Sequence, residues 1–270
     1  MRHDQSQPVY QTGSYRAWEI GGTDQVGETV WHCRVEHTRP EAHRLLPFSE
    51  PSIVVRRRFD EKGRTLDCRL VICPSQSEGG QYEPVPGEEQ FAVQLAPELM
   101  EPALGLRAAD FANEECEVPL ALRSAFDPTL VAASRGFVGE TIHGMMHALA
   151  RISSGKGKDR IGHAAQIMRS TSGRLDLARL AHDVEISPRH LRREFGNRFG
   201  MSPRALARRM RLTSAMLEAE SAIRPDWAGI AAGHGFSDQS HLIRECQEIL
   251  GETPRSLHKR RIAMSLSFNT

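Results

Sequence analysis

Two segments of the chain, 51 residues apart, repeat one pattern of residues. Residues 187–203 read SPRHLRREFGNRFGMSP and residues 238–254 read DQSHLIRECQEILGETP. Both copies hold a histidine, a leucine, an Arg-Glu pair, a glycine and a proline at matching places, beginning with His190 and His241. The repeat predicts one unit of about 30 residues that folds twice along the chain.

Each copy carries the signals of a short helix, a tight turn and a second helix. A shift of 50 residues aligns Ala181 with Ala231, and small residues there let two helices approach closely. Gly235 suits a turn that needs a positive φ, whereas the first copy has no glycine at that place. Two helix-turn-helix units are therefore predicted. Apolar spacing, Ser-Pro and Thr-Pro pairs and Asp226 as a helix cap place helices near residues 160–170, 176–182, 188–198, 203–219, 227–233, 239–249 and 254–261.

The second helix of each copy has a similar inward face and a different outward face. The inward residues are Leu191 and Phe195 in the first copy and Leu242 and Cys246 in the second. The outward residues are Arg189, Arg192, Arg193 and Gly196 against Ser240, Ile243, Arg244 and Gln247. The inward residues are alike in being apolar, whereas the outward residues differ at three of four places and only Arg193 and Arg244 match. We therefore predict that the two helices read different base pairs. They would enter two major-groove segments about 34 Å apart.

The charge of the chain is divided unequally along its length. The whole chain has a net charge of +1, but residues 160–261 hold 18 Lys or Arg and 11 Asp or Glu, a net charge of +7. The remaining residues carry a net charge of −6. A basic segment favours a polyanionic partner, and arginine can bond bidentately to guanine. Double-stranded DNA is therefore the predicted partner.

Residues 177–212, LARLAHDVEISPRHLRREFGNRFGMSPRALARRMRL, resemble the first half of an AraC/XylS-type regulator domain. Residues 227–257, WAGIAAGHGFSDQSHLIRECQEILGETPRSL, resemble the second half, and GFSDQSHL followed by Arg and G-x-T-P is close to a signature of that family. The resemblance implies two helix-turn-helix units joined by a long helix, sequence-specific DNA binding and transcription regulation.

Carried over by position, the resemblance assigns roles to individual residues. Base reading falls on Arg189, Arg192 and Arg193 in the first unit and on Gln239, Ser240, Ile243 and Arg244 in the second. Ile243 has no donor, so it is expected to contact a thymine methyl group. Phosphate contacts are expected from Ser187, His190, Arg204, Arg208, Arg209, His241 and Arg255. RNA polymerase, a small-molecule effector and a second copy of the chain are further candidate partners.

The first 96 residues show mostly strand signals. Residues 52–59 and 65–72 are β-rich runs around DEKGR and predict a hairpin, with further strands at 29–35 and 90–95. Helices are predicted at 97–104 and 127–151. The expected fold class is α+β, with a β-rich cupin-like barrel or sandwich and helices before an all-α domain. Residues 91–119 resemble the segment after the β-barrel in some AraC/XylS-type regulators, which often carry a sensor or dimerisation domain there.

A glycine-rich polar stretch, SSGKGKD, suggests a flexible linker at residues 153–159. We predict a sensor or dimerisation domain at 1–152, a DNA-binding domain at 160–262 and a tail at 263–270. The N-terminus lacks an apolar signal region and no apolar run is long enough to span a bilayer, so we expect a cytoplasmic protein with no membrane partner. The five cysteines, odd in number and irregularly spaced, fit a reducing compartment.

Enzyme and cofactor motifs are missing from the sequence. It contains no GxGxxG, Walker loop, HExxH or GxSxG, so we predict no catalytic site and no cofactor. The candidate metal ligands lack close spacing, so no metal site is predicted; they are His32, Cys33, His37, His43, Cys68 and Cys73. Arg57 is expected either on a solvent-facing edge strand or against an anionic effector inside a barrel. Two alternatives stay open: a cupin-type metalloenzyme fused to a DNA-binding module, and a regulator without effector whose N-terminal domain only dimerises.

Overall fold

The chain combines an antiparallel sheet in its N-terminal half with a helical C-terminal half, which confirms the predicted α+β class. The computed structural model describes residues 10–12, 14–23, 27–38, 42–44, 51–73, 81–107, 115–153 and 159–266.

The strands lie in the first 117 residues. They are β1 (Tyr10–Thr12), β2 (Tyr15–Thr23), β3 (Gly27–Val35), β4 (His43–Arg44), β5 (Ser52–Phe59), β6 (Thr65–Cys73), β7 (Gln81–Tyr82), β8 (Glu88–Gln94) and β9 (Cys116–Glu117). Seven of the strands form one sheet in the order β1-β2-β3-β8-β5-β6-β9, and β4 pairs with β7. The predicted hairpin is confirmed as β5 and β6, which pair antiparallel with Val54 opposite Val71. Gly63 has a φ of 77° in the turn between them, a conformation that glycine adopts at little cost.

Helices follow the sheet and cover one side of it. They are α1 (Pro97–Leu99), a π-helical turn (Met100–Leu104), α2 (Leu120–Arg123), a 3₁₀ turn (Ser124–Phe126), α3 (Asp127–Ser134) and α4 (Val138–Ser153). The single helix predicted at 127–151 is therefore wrong in one respect, because Gly136, with a φ of 73°, divides it into α3 and α4. The two helices pack closely at Gly144, where an added Cβ would lie 2.7 Å from Thr129 Oγ1.

The core of this half lies between the sheet and α4. Ile53 and Phe91 on the sheet are fully buried together with Met145 and Leu149 on α4. Because successive side chains of a strand point to opposite faces of a sheet, Ile53 of β5 and Phe91 of β8 lie on the same face, toward α4.

The C-terminal half consists of α5 (Arg160–Ser170), α6 (Leu177–Asp183), α7 (Pro188–Phe199), α8 (Pro203–Glu220), α9 (Trp227–Gly233), α10 (Gln239–Leu250) and α11 (Pro254–Leu266). The predicted helices are confirmed, with most ends within one residue. The predicted and observed helix starts agree because a capping side chain marks them in the local sequence. Backbone N–H groups of the first turn donate hydrogen bonds to the side chains of Asp176, Ser187, Ser202, Asp226 and Asp238.

Each helix-turn-helix unit has its own core, and the long helix α8 contributes to both. In the first core Met210 packs with Leu191 and Phe195, and in the second Met216 packs with Leu242 and Cys246. Cys246 is smaller than Phe195 at the matching place of the first unit, and it is fully buried. Burial raises the pKa of its thiol to about 12. Because α8 is continuous from Pro203 to Glu220, it carries both units on one support.

The boundary between the halves lies largely outside the described residues. Ser153 ends α4 and Asp159 caps α5, while 154–158, most of the predicted linker, is not described. The predicted tail is corrected at its start, because α11 continues to Leu266. The halves are in contact: Arg169 pairs with Glu98 at 2.6 Å, and Arg198 pairs with Glu101 at 2.9 Å.

The two turns of the repeat adopt the same backbone conformation with different residues. Gly235 has a φ of 73°, and Glu185, at the matching place in the first unit, has a φ of 55°. A side chain in this left-handed region clashes with its own backbone at a cost of about 1–2 kcal/mol. The first turn keeps the conformation although its sequence does not signal it, because Ile186 N–H still bonds to the Ala181 carbonyl, as Phe236 N–H bonds to that of Ala231.

Replacing Glu185 by glycine is expected to stabilise the protein by about 0.5–1 kcal/mol, since relief of the positive φ outweighs the extra freedom of the unfolded chain. The ion pair of Glu185 with Arg160 is exposed and its loss costs little. Urea unfolding measures the change. The control, Glu185→Ala, removes the same carboxylate but keeps the strained φ, so equal stabilisation by both variants would contradict the explanation.

Candidate nucleic-acid interface

Helix α7 presents an arginine-rich outer face. Arg189, Arg192 and Arg193 are exposed, while Leu191 on the opposite face is buried. Arg193 contacts Glu194 at 3.0 Å and His190 Nδ1 at 2.9 Å. Arg189 and Arg192 make no ion pair with any described residue, so their guanidinium groups are available to a ligand.

The start of α7 holds two of the predicted phosphate contacts. Ser187 caps the helix by accepting a hydrogen bond from His190 N–H at 3.2 Å. The N-terminal end of a helix carries a partial positive charge, which suits a nearby phosphate. The predicted phosphate contacts Ser187 and His190 thus lie beside the predicted base readers on one end of α7.

Helix α10 presents a nearly uncharged outer face at the matching positions. Gln239, Ser240 and Arg244 are exposed, and Ile243 is half-buried. Asp238 caps this helix through His241 N–H at 2.7 Å, and that backbone bond is the largest cause of the lowered pKa of Asp238. All seven predicted base readers therefore lie on two helices of the same kind, and their assignment to bases stays a prediction.

The arginines of α8 differ in how available they are. Arg204 is exposed, but the Arg208 Nε donates to Glu245 at 2.6 Å and its Nη2 to Glu248 at 2.7 Å. Two carboxylates therefore already pair with Arg208, which makes it an unfavourable phosphate ligand. These ion pairs instead tie α8 to α10. Arg209 is half-buried, with its Nη1 3.2 Å from the sulfur of Met201.

The remaining predicted phosphate ligands lie near the second unit. His241 is half-buried and its Nδ1 accepts from Ser237 N–H at 3.2 Å. Arg255 is exposed in the first turn of α11. The α10 face thus offers fewer free cations than the α7 face, because Ser240 and Ile243 stand where α7 has Arg189 and Arg192.

A buried charge cluster in the sheet corrects the expectation for Arg57. Strand β5 is internal and Arg57 is only 4 % exposed, so it does not lie on a solvent-facing edge strand. Its Nη1 donates to Glu89 at 2.7 Å, and Glu89 also contacts His32 at 2.9 Å and Arg34 at 3.4 Å. Burial raises the pKa of Glu89, but these cationic and hydrogen-bonding neighbours outweigh it and hold the pKa at about 2. The anion that Arg57 meets is a residue of the chain itself.

The candidate metal ligands do not form a site among the described residues. No group of three or more His, Cys, Asp or Glu side chains there could hold a metal ion. Burial raises the pKa of Cys33 and of Cys68 to about 11, so both remain protonated thiols near neutral pH. The metalloenzyme alternative gains no support from this part of the chain. None of the helices within the described ranges is both long and apolar enough to cross a bilayer.

Comparison with known proteins agrees with the geometry of the C-terminal half. A helix-turn-helix domain family matches residues 180–260. An AraC-type regulator from Chromobacterium violaceum is 23 % identical over 38 % of this chain and 91 % of its own, with a TM-score of 0.35. A probable AraC family regulator from Rhodopseudomonas palustris is 25 % identical over 38 % of this chain and 96 % of its own, with a TM-score of 0.34.

A third structure is similar over most of the chain. ToxT from Vibrio cholerae is 10 % identical over 92 % of this chain and 99 % of its own, with a TM-score of 0.47. No curated protein matches the sequence. The family match begins within α6 and covers the rest of both helix-turn-helix units and the helix α8 that joins them. Residues 180–260 are therefore a helix-turn-helix domain, and this part of the chain is similar to AraC-type regulators of known structure.

Proposed function

We propose that this chain regulates transcription by placing α7 and α10 in successive major-groove segments of one asymmetric DNA site. The observation that carries the proposal is the pair of matched helices with unlike exposed faces. Arg189 and Arg192 are exposed where α10 has Ser240 and Ile243. Three of the four outer positions differ between the two helices, whereas the inward positions of both stay apolar.

The two faces favour different bases. The guanidinium fork of arginine fits guanine O6 and N7, so α7 is expected to read a guanine-containing segment. Gln239 suits adenine and Ile243 suits the methyl group of thymine, so α10 is expected to read a segment with A·T pairs. The free cations near α7, with Arg204 on α8, supply phosphate contacts and make binding weaken as salt rises.

Selection of bound sequences from random DNA by the full chain tests this function. The expected result is one enriched site with two unlike segments about one helical turn apart. The proposal fails if no sequence is enriched, or if the enriched site is a symmetric palindrome whose two segments are read by the same helix of two chains.

Replacing Arg193 or Arg244 by alanine is expected to weaken binding to the selected site by about 1–3 kcal/mol each, because each removes a base contact at matching positions of the two helices. Fluorescence anisotropy at fixed salt measures the loss. Arg224→Ala is the control, since Arg224 is an exposed arginine between α8 and α9 and outside both recognition helices. Unchanged binding by both variants would show that the reading faces are wrongly assigned.

Control by the N-terminal half is the finer part of the proposal. Support comes from the contacts of the segment after the sheet with the first unit, where Glu98 pairs with Arg169 on α5 and Glu101 with Arg198 on α7. A small molecule or partner that shifts this segment would shift the end of a recognition helix. Thermal-shift screening of the full chain tests for an effector, because a ligand raises stability by RT ln(1 + [L]/Kd).

A further inference from the structure

An arginine just before the first helix-turn-helix unit reaches across to the turn of the second unit. Arg174 lies between α5 and α6, before the residues that the family match covers. Its Nη1 donates a hydrogen bond of 2.6 Å to the carbonyl of Gly233, the last residue of α9. Carbonyls at a helix end lack helical partners and carry a partial negative charge, so a guanidinium group there is favourable.

A second arginine completes this contact from α8. The Arg211 Nη1 donates to the Gly173 carbonyl at 3.5 Å, and its guanidinium carbon lies 5.8 Å from the centre of the Phe236 ring in the second turn. The stems of both arginines flank Gly235, since a Cβ added there would lie 3.7 Å from Arg174 Cγ and from Arg211 Cδ. The second turn is thus held from two sides.

The segment that carries Arg174 is itself fixed against α8. Gly173 has a φ of 72°, and an added Cβ would lie 2.3 Å from the Ala207 carbonyl oxygen. Its backbone therefore touches the long helix directly. Arg174 therefore extends from a turn that packs against α8. Its bond to Gly233 couples the position of the second unit to that of the first.

The second unit is tied to α8 at two further points. His234, just after α9, lies 2.7 Å from Glu218 of α8, and Glu245 of α10 accepts from Arg208 of α8 at 2.6 Å. With these ties, a movement of the second turn changes the direction of α10. The bond from Arg174 is the direct link of that turn to the segment that precedes α6.

We propose that Arg174 is a positioning residue that fixes the orientation of α10 relative to α7 and so sets the base-pair spacing between the two segments of the DNA site. The inference rests on the proposed function. One extra base pair moves the second segment by about 3.4 Å along the DNA and rotates it by about a tenth of a turn. Two connections between the units, α8 and the Arg174 bond, resist this change better than α8 alone. If α8 were the single connection, a bend in that helix would accommodate the change.

The test uses the full chain and the site it selects from random DNA. Two further sites carry one base pair more or one fewer between the two segments, and dissociation constants are measured for all three at one salt concentration. The wild-type protein is expected to bind the altered sites about tenfold more weakly. We call the dissociation constant for an altered site divided by that for the selected site the spacing ratio. Arg174→Met keeps the packing stem but loses the hydrogen bond to Gly233, and the spacing ratio is expected to fall to about threefold or less.

Two variants separate positioning from a general loss of charge. Arg174→Lys restores a donor and is expected to recover most of the spacing ratio. Arg224→Met removes an exposed arginine outside both recognition helices and is expected to leave the spacing ratio unchanged. Arg174→Ala is measured beside Arg174→Met as a second loss of the bond.

The outcomes are distinct. A wild-type ratio near one, or an unchanged ratio in both Arg174→Met and Arg174→Ala, overturns the positioning role while leaving sequence-specific binding intact. Failure of the wild-type chain to enrich any site overturns the proposed function itself and this inference with it.

Discussion

Replacing Glu89 by glutamine is expected to destabilise the N-terminal half by about 3–5 kcal/mol, because a buried ion pair that loses one partner leaves the other charge uncompensated. Glu89 is 1 % exposed and lies directly opposite Arg34 on β3 and Arg57 on β5. The Arg57 guanidinium keeps only neutral partners, Thr65 Oγ1 at 2.7 Å and the Gly63 carbonyl at 2.6 Å. Their dipoles do not replace a carboxylate.

Urea unfolding followed by tryptophan fluorescence measures this effect, since Trp18 and Trp31 lie on β2 and β3 beside the cluster. The control is Glu83→Gln, which neutralises an exposed carboxylate and is expected to change stability by less than about 0.5 kcal/mol. A loss below 1 kcal/mol for Glu89→Gln would mean that Arg57 is solvated in solution.

The lowered pKa of Glu89 makes the stability of the folded protein depend on pH. Its pKa is about 2 in the folded protein against an ordinary value of 4.5, so the folded state favours the ionised form. The stabilisation is fully present above pH 4.5 and is lost as the pH falls toward 2. The wild-type protein should therefore lose stability over this window more steeply than Glu89→Gln, and parallel curves would contradict the assignment.

Replacing Gly173 by alanine is expected to destabilise the C-terminal half by about 2–5 kcal/mol, the combined cost of a left-handed side chain and of a clash in a packed region. The added methyl group would lie 2.3 Å from the Ala207 carbonyl oxygen, a backbone atom of α8 that cannot rotate away. Relief requires the segment before α6 to separate from α8.

Unfolding followed by circular dichroism at the helical band, together with Trp227 of α9, reports on this half. Gly63→Ala is the matched control, because Gly63 has a similar φ of 77° but open space around its Cα. That variant is expected to cost about 1 kcal/mol. Equal losses for the two variants would show that backbone conformation, and not contact with α8, makes Gly173 necessary.

The helices of the C-terminal half were predictable because their signals are local. A cap such as Ser187 or Asp226 and a proline in the first turn act within three or four residues of the helix start. The break at Gly136 was missed because a single glycine within an apolar pattern is also compatible with a continuous helix. The positive φ of Glu185 was missed for the opposite reason, since nothing in that residue type signals it.

The availability of charged side chains could not be predicted in the same way. Arg208 looked like a phosphate ligand because it lies in a basic helix, yet its partner Glu245 is 37 residues away along the chain. Arg57 and Glu89 are separated by 32 residues, and His32 and Glu89 by 57. Electrostatic pairing depends on distance in space, which sequence spacing specifies only within one helix or strand.

The sequence by itself determined that a helix-turn-helix unit occurs twice and which residues of each recognition helix pack and which face outward, because caps, apolar periodicity and the repeat are written within short segments. Only the tertiary structure decided which arginines remain free for DNA and which hold the protein together. Arg189 and Arg192 are free of ion pairs within the described part of the chain, whereas Arg174 bonds to the second turn and Arg208 ties α8 to α10. The reason is physical: a guanidinium group binds whichever anion or carbonyl the fold brings within about 3 Å of it.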